Sequence, residues 1–147
     1  MPYIVVDTCV FLKLTSNYSK ILDCVLSNDD IIAISNECLK EYEGRSYASV
    51  YLLQSFLQEL DGKNKLKRVK KSFVEARINR LENHRRIVYP SHHKDKKWVK
   101  LAVSIGAYYI LSTNDHLLDL PPNPCNTHHV ESIEPFDYIS NRCPELV

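Results

Sequence analysis

The sequence predicts an α/β domain built on a mainly parallel central sheet of four to five strands, with helices on both sides. Short runs of β-branched and aromatic residues alternate along the chain with segments of helical periodicity. The apolar runs are continuous, which is typical of strands that are covered on both faces in a parallel sheet. A chain of 147 residues suits a single domain. We therefore expect one domain over residues 1–147.

The composition indicates a globular protein, with 44% apolar and 25% charged residues. No apolar run approaches the roughly 20 residues of a membrane helix, and the N-terminus lacks a signal-peptide pattern. We therefore expect a cytoplasmic protein with no membrane partner. The five cysteines are scattered and odd in number, so neither a disulfide framework nor a zinc knuckle is indicated, and reduced thiols are expected.

The first half of the chain predicts two strands and four helices. Ile4-Val5-Val6 favours the pleated conformation, and Ile31-Ile32-Ala33-Ile34 is a second buried run. Ser35 can cap the helix after the second strand, and Gly44 is a common kind of helix end. In chain order the predicted elements are a strand at 3–6, a helix at 20–28, a strand at 31–34, a helix at 35–44, and polar helices at 45–60 and 66–83.

The second half predicts three strands and three helices. The best defined is a helix from Asp95 to Ile105, where Trp98, Leu101, Ala102 and Ile105 follow the spacing of one buried face. Gly106 ends this helix. In chain order the predicted elements are a strand at 86–89, the helix at 95–105, a strand at 108–111, a short helix at 116–118, a strand near 127–130, and a final helix from about 133.

Acidic residues follow the predicted strands in comparable places. Asp7 follows the first strand, Asp115 follows the strand at 108–111, and Asp95 opens the helix that leads into that strand. Because the carboxyl ends of parallel strands lie along one edge, Asp7 and Asp115 should face the same crevice. Asp95 lies seven residues before Ala102 and therefore on the same core-facing stripe.

The helix after the second strand supplies a fourth acidic candidate. Glu41 lies one turn beyond Cys38, at the border of the apolar side of this helix. Glu37 and Glu43 are alternatives on the same helix, and Glu41 could equally be an ordinary surface residue.

Two interpretations of these acids remain open at this point. Asp7, Asp95 and Asp115 are each placed where a residue caps a helix or interacts favourably with its N-terminus. Alternatively, carboxylates that gather in one place repel each other and need a cation. Mg²⁺ prefers a few carboxylates with water completing its coordination. Such a site suits phosphodiester hydrolysis, because the metal activates water and orients the phosphate.

The charge is unevenly distributed. Residues 63–86 hold ten Lys or Arg residues and two Glu residues, a net charge of +8, whereas the rest of the chain carries −7. A cationic segment on an acidic body indicates an anionic partner. The other interpretation is a solvated helix face that serves solubility.

Four motifs in order resemble those of the PIN domain, a nuclease family that includes many toxins of the VapC type. They lie in the segments IVVDTCVFL, SNECLKEYE and KDKKWVKLAVSIGAYYILSTND, and the ending VESIEPFDYI resembles the last strand and helix of one PIN subgroup. The similarity spans nearly the whole chain, with residues 45–85 the least constrained. The matching positions are Asp7 with Thr8, Glu41 with Tyr42, Asp95 with Ala102, and Thr113-Asn114-Asp115.

The resemblance implies a metal-dependent endoribonuclease that uses Mg²⁺ or Mn²⁺ and leaves a 5′-phosphate and a 3′-hydroxyl. Asp7, Asp95 and Asp115 are then expected to contact the metal directly or through water. Glu41 is expected to join the metal shell or orient water, and Thr8 and Thr113 to hold the carboxylates. The basic segment is expected to bind RNA phosphates through Lys67, Arg68, Lys70, Lys71, Arg77 and Arg80.

The sequence departs from the family pattern at three places. Cys9 stands where many members have Asn, Ser91-His92-His93-Lys94 replaces a more acidic approach to Asp95, and His116-Leu117 follows Asp115 where relatives often have another acid. These changes affect metal affinity or a second metal position. The alternative function is therefore a catalytically weak or inactive PIN-fold module that binds RNA or protein.

The resemblance also implies partners, and the sequence argues against two other families. A toxin of this family implies a cognate antitoxin protein as partner, and a homodimer is common in such folds. A haloacid-dehalogenase phosphatase would need an acid at the position of Cys9. A receiver domain would need paired acids near its start and a lysine after a late strand. Neither pattern is present.

Overall fold

The computed structural model describes the backbone of residues 2–12, 16–43, 47–84, 86–125 and 128–147. Within these ranges the side chains of residues 11–12, 16–18, 42–43 and 47–53 lie outside the description. Tyr47 and Tyr51, for which the sequence favours packing in their helix over stacking on RNA bases, are among them. In the part of the chain that is described, no helix is long and apolar enough to cross a membrane.

Strands and helices alternate along the described chain, as the sequence predicts. The strands are β1 (Tyr3–Val6), β2 (Ile31–Ser35), β3 (Leu66–Val69), β4 (Tyr109–Leu111), β5 (Asn123–Pro124) and β6 (His129–Ile133). The helices are α1 (Thr8–Leu12), α2 (Ser16–Ser27), α3 (Asn36–Glu43), α4 (Tyr47–Gly62), α5 (Lys71–Glu82), α6 (Lys96–Ile105), α7 (Asp115–Leu118) and α8 (Pro135–Arg142). Short 3₁₀ turns cover His93–Asp95 and Pro144–Leu146.

The described strands form one sheet in the order β3-β2-β1-β4-β6-β5. All neighbouring pairs are parallel except β5 with β6, which is antiparallel. The fold class predicted from the sequence is confirmed, and the sheet has one strand more than expected. β1 lies in the middle and is buried along Ile4, Val5 and Val6. Its carboxyl end therefore opens beside those of β2 and β4.

Helix α6 leads into β4 and packs against the middle of the sheet. Trp98, Leu101 and Ala102 are buried, as their spacing predicts, and the helix packs across β1, β2 and β4. Gly106 ends it in the left-handed conformation at φ 67°, where its N–H donates to the carbonyls of Ala102 and Val103. Glycine adopts this conformation without the steric cost that a Cβ atom imposes.

Two predicted elements between α4 and α6 were wrong. The segment Leu66–Val69 was assigned to a helix but forms β3, which pairs in parallel with β2 at the edge of the sheet. Lys67 and Arg68 are good helix formers, and on an edge strand their charges also discourage pairing with another chain. The predicted strand at 86–89 pairs with none of the described strands. The Asn123 amide instead occupies both backbone groups of Val88, accepting from its N–H at 2.7 Å and donating to its carbonyl at 3.0 Å.

The C-terminal part also differs in detail from the sequence prediction. The last predicted strand, near 127–130, lies later as β6, and the proline-rich loop before it contributes β5. Reduced thiols were expected throughout, but Cys24 and Cys143 form a disulfide. They are 119 residues apart, so no local spacing could reveal the pair before α2 packs against α8.

A buried carboxylate ties α8 to the start of β2. Asp30 accepts a hydrogen bond from the Tyr138 hydroxyl at 2.7 Å and two from the Arg142 guanidinium at 2.9 Å. A bidentate guanidinium and a hydroxyl together satisfy most of the acceptor capacity of a buried carboxylate. This acid is therefore a structural one.

We expect Asp30→Ala to lower the free energy of unfolding by about 3 kcal/mol, because it removes the partner of a partly buried guanidinium and of a buried hydroxyl. Urea unfolding at neutral pH measures this loss. The matched control is Asp29→Ala, which removes the same charge from an exposed neighbouring position. Equal losses in the two variants would contradict the role given to Asp30.

Candidate active site

The candidate site lies at the carboxyl ends of β1 and β4. The pair register places Val6 beside Leu111, and the Asp7 N–H donates to the Leu111 carbonyl at 2.9 Å. Asp7 and Ser112 are therefore the first residues beyond two adjacent parallel strands. Ligand sites of open α/β sheets lie at this kind of edge.

Asp7 is the buried centre of the site, with 4% of its surface exposed. Its Oδ2 atom accepts hydrogen bonds from the Ser112 hydroxyl at 2.8 Å and the Cys9 thiol at 3.1 Å. Burial raises the pKa of Asp7; the bonds from Cys9 and Ser112 lower it, and the charges of Glu41 and Asp95 raise it further. The described side-chain contacts of Asp7 thus go to side chains rather than to the backbone of α1.

Glu41 is held from two sides. The Thr8 hydroxyl donates to its Oε2 atom at 2.8 Å, and the Lys97 ammonium lies 3.4 Å from its Oε1 atom. The sequence alternatives do not share this position: Glu37 is exposed, and the side chain of Glu43 lies outside the described residues. α3 therefore presents Glu41 to the N-terminus of α6, beside the end of β1.

Asp95 is buried at the start of α6, with 8% of its surface exposed. It occupies the N-cap position, but its side chain makes no capping hydrogen bond. Its Oδ2 atom instead accepts from the Asn114 amide at 3.2 Å and lies 3.9 Å from His92 Nδ1. Capping therefore does not account for this acid, and its described contacts point toward the loop after β4.

Asp115 differs from the other three predicted acids in its exposure. Asp115 is exposed as the first residue of α7, and the preceding Asn114 caps that helix by accepting from the His116 N–H at 3.0 Å. Asp115 therefore lies at the rim of the site. Thr113 is close by, with its N–H donating to the Cys9 sulfur at 3.3 Å and its buried hydroxyl lacking a described partner.

The donor groups suit a hard divalent cation, although no three described His, Cys, Asp or Glu side chains are grouped closely enough to hold one as they stand. Both carboxylate oxygens of Glu41 have a described contact, one with Thr8 and one with Lys97. In Asp7 and in Asp95, the described contacts all go to one carboxylate oxygen. Mg²⁺ commonly binds through one or two carboxylates and keeps several waters. Burial, followed by the charges of Glu41 and Asp95, raises the pKa of Asp7, so a cation beside Asp7 would favour its charged form. The residues present therefore fit such a cation.

The predicted RNA-binding residues divide into two groups. Lys67, Arg68, Lys70 and Arg77 line a cavity of about 760 Å³ together with Phe73. None of the described residues that line this cavity is acidic.

The other two predicted residues lie outside the cavity lining. Lys71 lies 3.7 Å from Glu75 one turn along α5, and Arg80 is exposed on the same helix. Among the cations that line the cavity, Arg68 also has an acidic neighbour, because its Nη2 atom lies 3.4 Å from Asp61 Oδ2.

Four residues with contacts at the site were not named as site residues from the sequence. They are Cys9, Lys97, Ser112 and Asn114. Ser112 and Asn114 could have been found, because they stand at the end of β4 beside the motif residues Thr113 and Asp115. Cys9 was noted only as a departure from the family pattern, and Lys97 carried no signal among the many lysines around it.

A family model for the PIN domain matches residues 3–116. This match covers most of the chain, and the chain belongs to the PIN domain family, whose members are generally nucleases. Among solved structures, a chain from the crystal structure of VapBC2 from Rickettsia felis, bound to a DNA fragment from their promoter, has the same fold. It matches with a TM-score of 0.50 and 18% identity, over 88% of this chain and 98% of that chain. No curated protein sequence gives a significant match.

We expect Asp7→Asn to stabilise the protein at neutral pH. The pKa of Asp7 is raised in the folded state, so its charged form costs stability at a pH above that folded value. Removing the charge should raise the free energy of unfolding by about 1 kcal/mol at pH 7. The gain should shrink as the pH is lowered through the raised pKa of Asp7, because the folded wild type then binds the proton and Asp7 becomes neutral.

Thermal unfolding of wild type and variant across this pH range is the measurement. Asp119→Asn is the control, because Asp119 is exposed and its neutralisation should change stability little. A variant that is less stable than wild type at pH 7 would show that the carboxylate is a structural requirement.

Proposed function

We propose that the protein is a metal-dependent endoribonuclease. The observation that supports this best is the position of three acids around the carboxyl ends of β1 and β4. Asp7 follows β1 and is buried, and Glu41 accepts from the Thr8 hydroxyl next to Asp7. Buried Asp95 accepts from Asn114 beyond β4. A perturbed carboxylate with acidic neighbours at a ligand-binding edge is a candidate functional site. Membership of the PIN family supports hydrolysis of phosphodiester bonds as the chemistry.

Asp7 and Asp95 are the proposed direct ligands of Mg²⁺ or Mn²⁺. Glu41 is proposed to join the coordination shell or to orient water, and exposed Asp115 to act from the rim through water. The bound cation would activate water, orient the phosphate and stabilise the leaving oxygen.

The surrounding side chains are proposed to keep these carboxylates in position. Ser112 and Cys9 fix one oxygen of Asp7, Thr8 fixes one of Glu41, and Asn114 fixes one of Asp95. Burial raises the pKa of the Cys9 thiol, so Cys9 donates its hydrogen bond as a neutral group. Hydrogen-bonded neighbours of this kind set the orientation and basicity of metal ligands.

The acidic site needs cations beside it to hold an RNA strand. Continuing the register of β1 with β2 places Asp7 level with Ser35, which pairs with Val69 on β3. Neighbouring strands lie about 4.8 Å apart, so β3 ends about 10 Å from Asp7. Lys70 follows Val69 and is therefore proposed to bind RNA phosphates beside the site.

The cavity that Lys70 lines also reaches Tyr3 and Gly106, at the opposite, amino ends of β1 and β4. Its other cations, Lys67, Arg68 and Arg77, are therefore proposed to bind phosphates farther from Asp7. Lys71 and Arg80 are proposed to contact RNA from exposed positions on α5.

The biological setting is proposed as a toxin–antitoxin pair in the cytoplasm. The fold shared with a chain of the VapBC2 structure supports this setting. A cognate antitoxin would then be the protein partner, and the toxin could act as a homodimer.

We expect the wild type to cleave labelled RNA in Mn²⁺ or Mg²⁺ and to be inactive in EDTA. Asp7→Asn and Asp95→Asn should each reduce the rate at least about a hundredfold, because each removes a proposed ligand charge. Asp119→Asn should retain the wild-type rate. If the toxin assignment is right, expression of the wild type should also arrest growth, and expression of Asp95→Asn should not.

The same experiment tests the alternative of an inactive PIN-fold module. Such a module would bind Mn²⁺ or RNA and leave every RNA intact in wild type and variants alike. Because Asp7→Asn is expected to be stable, its loss of cleavage could not be attributed to unfolding.

We expect Lys67→Gln with Lys70→Gln to weaken RNA binding at all sequences and to reduce the dependence of affinity on salt. Each lost phosphate contact should lower the slope of log affinity against log salt by about 0.7 for a single strand. Fluorescence anisotropy with the Asp95→Asn background, which leaves the RNA intact, measures both quantities. The matched control is Lys20→Gln with Lys100→Gln, which removes the same charge from exposed positions on α2 and α6. Equal weakening in the two pairs would contradict a specific role for the cavity cations.

A further inference from the structure

We propose that Lys97 is a positioning residue that acts as the internal counter-charge of the carboxylate site and weakens its affinity for divalent cations. This inference rests on the proposed function of the site as a cation site. It concerns a residue that neither the sequence motifs nor the family match marks. The consequence is that Lys97, as well as the carboxylates, sets the strength of cation binding.

The Lys97 ammonium is fixed between two acceptors. It lies 3.4 Å from Glu41 Oε1 and donates to the Lys94 carbonyl at 2.8 Å. The Lys97 and Glu41 side chains are only 19% and 18% exposed. An exposed ion pair of this kind is weakened by solvent and salt, but a largely buried one is screened much less.

The position of Lys97 is unfavourable for the helix that carries it. Lys97 is the second residue of α6, and a positive charge near a helix N-terminus opposes the helix dipole. Two contacts of Lys97 belong to its own helix region, namely the Lys94 carbonyl and the Trp98 ring at 5.8 Å from the ammonium; neither of them carries a full negative charge. The carboxylates supply the reason for a lysine here, because Glu41 lies against its ammonium and Asp95 is two residues earlier.

A cation and Lys97 would compete for Glu41. Without a divalent cation, Lys97 offsets the charge of Glu41, which itself raises the pKa of Asp7. Burial raises the pKa of the Cys38 thiol to about 12, and the opposing charges also reach it, because Lys97 lowers this pKa and Glu41 raises it. When a divalent cation binds, it must share the site with this ammonium or displace it from Glu41. Both effects reduce affinity.

The test is calorimetric titration of Mn²⁺ into wild type, Lys97→Met and the matched control Lys100→Met. Lys100 lies on the same helix and is exposed. We expect Lys97→Met to bind Mn²⁺ roughly tenfold more tightly than wild type, since a nearby repulsive charge is removed. Lys100→Met should stay within about twofold of wild type. Unchanged or weaker binding by Lys97→Met would overturn the proposal.

A second measurement separates this role from simple tethering of α6 to α3. In thermal unfolding without a cation, Lys97→Met should be less stable than wild type, and adding Glu41→Gln should recover most of the loss. Mn²⁺ should then stabilise Lys97→Met more than wild type. If Lys97 only tethered α6 to α3, Lys97→Met would lose stability, but Mn²⁺ would stabilise it no more than it stabilises the wild type. If Lys97→Met does not fold, Lys97→Gln, which removes the charge but can still donate to Glu41, replaces it in both measurements.

Failure of this inference is distinguishable from failure of the proposed function. RNA cleavage by wild type with no tighter Mn²⁺ binding by Lys97→Met overturns the role of Lys97 alone. No cleavage and no Mn²⁺ binding by wild type overturns the proposed function. Mn²⁺ binding gained by Lys97→Met in that second case would still support Lys97 as the residue that opposes the cation.

Discussion

Burial of one carboxylate at the end of the central strand is the constraint on which the rest of the site depends. Asp7 is almost fully buried, and the groups that hold it are a hydroxyl and a thiol rather than a cation. Two neutral donors stabilise a buried carboxylate less than an ion pair would. Ser112 and Cys9 must therefore be placed accurately. Ser112 is placed by the end of β4, and Cys9 by the first turn of α1, directly after β1.

Parallel pairing explains how residues far apart in sequence meet there. Asp7 and Ser112 are 105 residues apart, yet the register of Val6 with Leu111 makes them neighbours. A slip of one residue between these strands would turn Ser112 to the other face of the sheet. The buried side chains of both strands oppose such a slip. The apolar core therefore fixes the geometry of the polar site.

The sequence alone predicts the parts of the molecule that depend on local patterns. The continuous apolar run of β1 and the buried stripe of α6 were predicted correctly, and they carry Asp7 and Asp95. The edge strand β3 was missed because lysine and arginine suit a helix as well as an exposed edge. The partner of Asp95 is the Asn114 amide, and the contact of Lys97 with Glu41 joins α6 to α3. Contacts of this kind arise only after distant elements pack, so no local spacing contains them.

The contrast between two buried acids indicates which part of the molecule is specialised for function. Asp30 has a bidentate guanidinium and a hydroxyl, as expected of an acid that serves the fold. At the carboxyl ends of β1 and β4, by contrast, Asp7 is buried with neutral partners. Asp95 occupies the N-cap position of α6 without capping it, and Lys97 opposes the dipole of the same helix. Each departs from a local rule of stability, and the three lie around the same edge of the sheet. Such departures gather where function rather than stability determines the residue.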